Sequence, residues 1–380
     1  IVGAYEHPTR KAPDKTVAQL HYECARGALA DAGLTFDDVD GYFSAGDAPG
    51  MGGVNMVDYM NLKVRHVDST ETGGSSYLIH VAHAAEAIAA GRCNVALITL
   101  AGRPRSEGHS GAAPRVFPPS VPDAPFEAPY GLVTINSYAM CAARHMYEYG
   151  TTPEQLAWVK VAASHHAQYN EHAMLRDVVT VEDVVGSPLI ADPLHRLDCC
   201  VVSDGGGALV VTRPEIARSL KRPLVKVIGA GEHIKGQNGG DIDLTYSAGV
   251  KSGKDAFEMA GVSHADIKYV SIYDSFTITV VMQLEDLGFC EKGKGGAFVA
   301  DGNLISGVGK LPFNTDGGGL CNNHPMNRGG ITKAIEAVRQ LRGEAHPAVQ
   351  VKDCRLALAS GPGMVVGGAH NHATVIFERE

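Results

Sequence analysis

Apolar positions along the chain follow two rhythms that alternate, one of strand type and one of helix type. "IVGAY" opens as a strand. From Thr16 to Gly33 the apolar residues fall at helical spacing and end in "AGL", where Gly33 is a ready C-cap. "VDGYF" reads as a strand, and Ser75 to Ala90 as a helix of small residues. "NVALITLAG" (Asn94 to Gly102) reads as a continuous apolar strand buried on both faces. A strand so apolar should have its sheet edge covered, and a second subunit is expected there. Strands alternating with helices predict a layered α/β architecture.

Between Arg103 and about Leu197 the pattern changes. Prolines crowd between Pro104 and Pro129, and helices rich in Ala, His and Tyr are expected from about Ile135 to Asn170. This stretch reads as an excursion from the sheet, which resumes at "SDGGGALVVTRPEIA" (Ser203 to Ala217). An internal repeat organises the rest. "ALADAGLTFDDVD" (Ala28 to Asp40) aligns without gaps on "AFEMAGVSHADIK" (Ala256 to Lys268), an offset of about 228 residues. A second echo pairs "HAAEAIAAGRCNVALITLAG" with "KAIEAVRQLRG" and the strand-like "RLALASGPG" (Arg355 to Gly363). The expected division is therefore residues 1–222, with the excursion at about 103–197, and residues 223–380. An active site should lie where equivalent helix N-termini and strand ends converge.

Composition narrows the function classes. The 380 residues carry a formal net charge of -9 and no basic run, which argues against nucleic acid or an anionic membrane as partner. No apolar stretch reaches the ~18 residues of a membrane span. Eight cysteines are scattered with no C-x-x-C pair. That spacing excludes a zinc ribbon within the chain and suits reduced thiols in a cytoplasmic protein.

Four stretches could carry chemistry. In "DSTETGGSSYLIH" the turn Gly73-Gly74-Ser75-Ser76 precedes a helix, so its N–H groups can bind an anion or oxyanion, or its glycines can simply pack against the other half. In "YDSF", Tyr273 and Ser275 lie two apart and point the same way on an extended chain, unless Tyr273 is an ordinary half-buried strand residue. In "NTDGGGLCNNHPMNRGG", His324 sits in a glycine-rich loop before a helix beginning near Ile331, which suits acid–base work. In "SGPG", Ser360 to Gly363, backbone N–H groups could complete an oxyanion hole, while His370 and His372 read as part of a solvated hairpin.

The stretches "PLHRLDCCVVSDGGGALVV", "YDSFT", "LPFNTDGGGLCNNHP" and "GGAHNHATVIF" resemble the thiolase superfamily, and within it the sterol-carrier-protein-type thiolases and lipid-transfer proteins. The resemblance runs through the whole chain in order. It implies duplicated βαβαβαββ halves in five layers, α-β-α-β-α, with mostly parallel sheets around a central helix pair: Ser75 to Ala90 and its mate near Ile331. It also places the family's nucleophilic cysteine on Gly74, followed by Ser75 and Ser76. The His-Asp-Cys-Phe motif becomes Tyr273-Asp274-Ser275-Phe276, and Gly-His-Pro becomes Asn323-His324-Pro325. The final Cys-x-Gly falls near Ser360, without a cysteine.

A glycine cannot hold an acyl group, and a serine with no adjacent base is a poor substitute for a thiolate. What the resemblance leaves is a cleft for a coenzyme A thioester with donors for its oxygen. Retro-aldol cleavage of a β-hydroxyacyl thioester, the activity of the family's cysteine-less side-chain aldolases, fits those parts. The chain is thus expected to be a carbon–carbon lyase. Tyr273, His324 and Ser275 are the expected catalytic residues, with the base left open between Tyr273 and His324, and Gly74, Ser75, Ser76, Asn323, Gly361 and Gly363 the expected oxyanion and substrate contacts. The competing readings are an acyltransferase using Ser75 or Ser76 and a silent acyl-CoA-binding subunit. Beyond the coenzyme A thioester as substrate, neither cofactor nor metal is expected. A homodimer is, or a heterotetramer with a separate zinc-ribbon/OB-fold partner.

Overall fold

The computed structural model describes residues 1–110, 124–131, 133–325 and 329–380. Its first helix, α1 (Val17–Ala32), shows how directly local sequence sets an element. Thr16 accepts a hydrogen bond from Gln19 N, and the Gln19 side chain returns one from Thr16 N. At the other end Gly33 closes the helix at φ 73°, a left-handed conformation that costs glycine nothing.

The first sheet contains β1 (Gly3–Glu6), β2 (Gly41–Phe43), β3 (His66–Asp68), β4 (Val95–Gly102) and β5 (Gly205–Thr212), in the order β1-β5-β4-β2-β3. The second contains β6 (Val225–Lys235), β7 (Tyr269–Ile272), β8 (Leu356–Met364) and β9 (His370–Arg379), in the order β6-β9-β8-β7. Helices α1 and α2 (Gly53–Tyr59) cover the outer face of the first sheet, and α3 (Ser76–Ala89) lies beneath its inner face. Beyond the second sheet lie α6 (Gly249–Ala260) and α7 (Thr277–Asp286), after the excursion helices α4 (Thr134–Tyr149) and α5 (Pro153–Ala167). The last helix, α8 (Gly330–Arg342), packs against α3 between the two sheets. The result is five layers with α3 and α8 at the centre.

That central layer is the core. Ile331, Ala334, Ile335, Val338 and Leu341 of α8 are buried against Tyr77, Leu78, Val81 and Ala84 of α3 and the inner faces of both sheets. Each large aliphatic side chain there stabilises the fold by about 1.5–3 kcal/mol as an upper bound. The contact is closest at the N-terminal ends, where a Cβ added to Gly330 would lie 1.9 Å from the Gly74 carbonyl oxygen.

Three expectations need correction. The sheets are mixed rather than mostly parallel: β2 is parallel to β3 and β4, and β7 to β8, but β5 and β9 run antiparallel to both their neighbours. In each half the last strand returns beside its predecessor and reverses direction. Second, β4 is interior, paired with β2 on one side and β5 on the other, so it has no edge for a second subunit to cover. Third, His370 and His372 are buried, because α6 packs over the face of β9 that carries them, where a solvated hairpin was expected. In the excursion, α4 and α5 fall where helices were expected, and residues 111–123 of the proline-rich stretch lie outside the described residues.

Candidate active site

The site forms where β7 ends and the two central helices begin. Tyr273 follows β7, and its N–H donates to the Ser360 carbonyl of β8 at 2.9 Å. The Asp274 carboxylate then ties three segments together. It accepts from Gly319 N (2.8 Å), Leu320 N (3.1 Å) and the buried Lys333 Nζ of α8 (2.7 Å). The glycine run tolerates this approach because Gly317 and Gly318 are left-handed, at φ 97° and 59°. From the first half, Arg10 Nη2 donates to Asn322 Oδ1 at 2.6 Å, and Ser203 Oγ accepts from His324 N at 2.9 Å. Held this way, the His324 ring meets the Tyr273 ring edge-on, with centroids 5.3 Å apart and planes at 87°.

These two rings open on a cavity of about 120 Å³, bordered also by Gly74, Ser275, Tyr138 and Cys200. The expected residues divide sharply at this point. Tyr273, Ser275, His324 and Gly74 share the cavity. Ser75 and Ser76 do not border it. Ser75 Oγ donates to Thr72 O (3.2 Å) and lies 3.0 Å from Thr72 Oγ1, and Ser76 Oγ accepts from Thr72 N (2.8 Å). Their hydroxyls brace the turn. Asn323 turns away from the cavity, its amide donating to Glu6. Gly361 and Gly363 face the other side of β8, where a Cβ would meet Tyr273 and Thr72 respectively, so Pro362 and Met364 face the cavity in their place. Among the described residues no three His, Cys, Asp or Glu side chains gather as a metal site. None of the described helices is long and apolar enough to cross a membrane.

A family model described as "Thiolase C-terminal domain-like" matches residues 231–379. The acetyl-CoA acetyltransferase of Methanothermobacter thermautotrophicus is 32% identical over 391 residues, covering 100% of this chain and 99% of that protein. The steroid side-chain-cleaving aldolase of Thermomonospora curvata is 35% identical over 353 residues, covering 89% of each. This chain belongs to the thiolase superfamily. Within it the similarity lies in the sterol-carrier-protein-type branch. Among solved structures, the Ltp2-ChsH2(DUF35) aldolase matches with a TM-score of 0.89 at 31% identity, covering 100% of this chain and 97% of that one.

Electrostatics decides what this thiolase-fold site can do. Burial, and the positive charge of Lys333 nearby, push His324 down to about 3, so its imidazole is neutral throughout the physiological range. Its Nε2 is buried and has no hydrogen-bond partner among the described residues. Burial pushes the Tyr273 phenol well above its usual value, opposed by a backbone hydrogen bond at Gly329, where α8 begins. Tyr273 is therefore a phenol, a proton donor and not a resting base. The same holds for Tyr138, pushed up to about 12 by burial.

Tyr138 and Cys200 were not singled out from the sequence. Tyr138 reaches the cavity from α4, its ring 4.3 Å from Phe276 and its hydroxyl donating to Met364 O at 3.4 Å. No motif marks it, since only the fold brings the excursion over "YDSF". Cys200 precedes the glycine run leading into β5. Its thiol is raised far above the usual range by burial and by the nearby Cys199 and Asp274, which keeps it protonated and a poor nucleophile.

Proposed function

We propose that this chain is a carbon–carbon lyase that cleaves a β-hydroxyacyl coenzyme A thioester by retro-aldol chemistry, with a lipid or steroid side chain as the acyl group. One observation carries the reading. The position of the family's nucleophilic cysteine is Gly74, while a neutral imidazole with an open Nε2 and a protonated phenol face the same cavity.

In this reading the β-hydroxyl gives its proton to His324 Nε2. The Cα–Cβ bond breaks, the new carbonyl takes the alkoxide's electron pair, and the bond's electrons enter the thioester enolate. The Tyr273 hydroxyl donates to the enolate oxygen, with the positive end of α3 behind Gly74 adding to the stabilisation. The imidazolium then returns its proton to Cα, so atoms and charge balance over the cycle. Burial favours His324 as the base and Tyr273 as the donor, a choice the sequence left open. Ser75 and Ser76 are engaged with Thr72 and do not border the cavity, which disfavours the serine acyltransferase.

The assembly proposed is a homodimer, working in the cytoplasm with a separate zinc-ribbon/OB-fold protein. The aldolase Ltp2 is named in its solved structure together with ChsH2(DUF35). In this chain the edge strand β3 leaves Val67 46% exposed, and among the described residues no strand pairs with its outer side. The test is to incubate the protein, with and without such a partner, with a β-hydroxyacyl-CoA and to follow the shortened acyl-CoA and the released carbonyl compound. Wild type should cleave, and Tyr273→Phe should retain the fold and lose about 10²–10³ in rate, the scale of one oxyanion donor. Trapping of an acyl-serine together with a fully active Tyr273→Phe would replace the lyase with an acyltransferase.

A further inference from the structure

Tyr273 lies one residue beyond β7, where the strand ladder stops holding the backbone. Its N–H is fixed by Ser360 O at 2.9 Å. Its carbonyl is held by a side chain: Gln283 Nε2 of α7 donates to Tyr273 O at 2.7 Å and to Thr279 O at 3.0 Å. With two carbonyls as partners, that end of the Gln283 amide must be the NH₂ group, because a flipped amide would set oxygen against oxygen. Gln283 Oε1 therefore faces His372 Nε2, 3.2 Å away, as an acceptor.

The orientation propagates. His372 Nε2 must carry the proton, which makes Nδ1 the acceptor for the Ser252 hydroxyl at 2.9 Å. Ser252 Oγ, its own proton committed, accepts from Thr374 Oγ1 at 3.1 Å, and Thr374 Oγ1 lies 2.8 Å from Ser360 Oγ. Ser360 is the residue whose carbonyl holds the Tyr273 N–H. The chain of bonds thus closes on itself around Tyr273 through four elements, α6, α7, β8 and β9. Gln283, His372, Ser252, Thr374 and Ser360 are all fully buried. Burial and the nearby His370 hold His372 down to about 3, in keeping with the neutral tautomer the ring requires.

We propose that Gln283 and His372 are positioning residues that fix the Tyr273 hydroxyl in the cavity through the Tyr273 backbone. The inference rests on the reading of Tyr273 as the enolate's hydrogen-bond donor. Neither side chain borders the cavity, so their effect is on geometry alone, and misplacing a reacting group by about 1 Å costs on the order of 10²-fold.

The test measures kcat and KM for a β-hydroxyacyl-CoA in Gln283→Leu, alone and combined with Tyr273→Phe. Alone, it should lower kcat by about 10–100-fold with KM held within about threefold. In the Tyr273→Phe background it should lower kcat by no more than about twofold, because the hydroxyl it positions is gone. Equal losses in both backgrounds, or no loss in either, overturn the proposal. Should Gln283→Leu fail to fold, Ser252→Ala removes only a hydroxyl from the same ring and is read by the same comparison. A readout independent of turnover is the ¹⁹F resonance of 3-fluorotyrosine placed at position 273, which should shift in Gln283→Leu and Ser252→Ala. An unmoved resonance overturns the positioning role. A shifted resonance in a protein that cleaves no β-hydroxyacyl-CoA keeps the positioning role and removes the lyase reading.

Discussion

The turn that starts α3 and the loop that leads into α8 occupy equivalent places in the two halves, yet they offer a substrate different things. In the first half the turn presents Gly74 and backbone, while its hydroxyls at Ser75 and Ser76 are occupied by Thr72. In the second half, strand end and loop deliver Tyr273, Ser275 and His324 into one cavity. A duplicated fold makes two helix N-termini meet, but it does not require both to carry reactive groups. In the mechanism proposed above, one half supplies a dipole and a wall, and the other supplies the proton chemistry.

That asymmetry can be broken in several ways. The largest effect should come from His324→Ala, which removes the base and should lower kcat by about 10²–10⁴. The same group sets the pH profile. Its folded-state value of about 3 lies below the ~6.5 of an unfolded histidine, so the basic form persists in the native protein as pH falls. The wild-type rate should show no falling limb near pH 6.5 while the fold lasts. Stability carries the opposite sign: it is full above ~6.5 and is lost as pH falls toward 3, because only the unfolded chain takes up that proton. A bell-shaped rate profile with a limb at pH 6–7 would remove His324 from the role of resting neutral base.

Next in size is Gly330→Ala, which presses a methyl group into the Gly74 carbonyl where the halves touch. Backbone cannot yield as a flexible side chain does, so a loss of about 1–3 kcal/mol in denaturant unfolding is expected, with reduced turnover in what remains folded. Ser75→Ala and Ser76→Ala should each cost about 1 kcal/mol of stability through a lost hydrogen bond and only a few-fold in rate. A dead Ser75→Ala that still folds would mean that the first half takes part in the chemistry after all. The smallest effect should be that of iodoacetamide near pH 7, because the one cysteine on the cavity, Cys200, is held as a thiol. Rapid inactivation mapped to Cys200 and prevented by substrate would return the chain to thiolase-like covalent catalysis.

How much of this was legible depended on whether a residue's environment comes from its own segment. The α1 caps, the extent of α3, and the pairing of Tyr273 with Ser275 follow from short-range rules, and the repeat announces the duplicated layers. Asn323 is adjacent to His324, but the loop's turn sends one toward Glu6 and the other to the cavity, and nothing local separates them. His370, Asn371 and His372 form a polar run that reads like a solvated hairpin. Only the placement of α6 over that face makes them buried. Tyr138 belongs to a helix with no motif, and its role as a wall depends on where the excursion lands.

That landing has a consequence for how the protein can change. His109, Ser110, Thr134 and Tyr138 line the cavity from the excursion, whereas Tyr273 and His324 are held by strand, glycine loop and buried ion pair of the second half, with Ser203 and Arg10 bracing the His324 loop. The wall can therefore be resurfaced by mutation without disturbing the frame that aligns Tyr273 and His324. In the mechanism proposed above, substrate choice and bond-breaking chemistry are mounted on separate parts, so descendants of this chain can accept a different acyl group while keeping the same reaction.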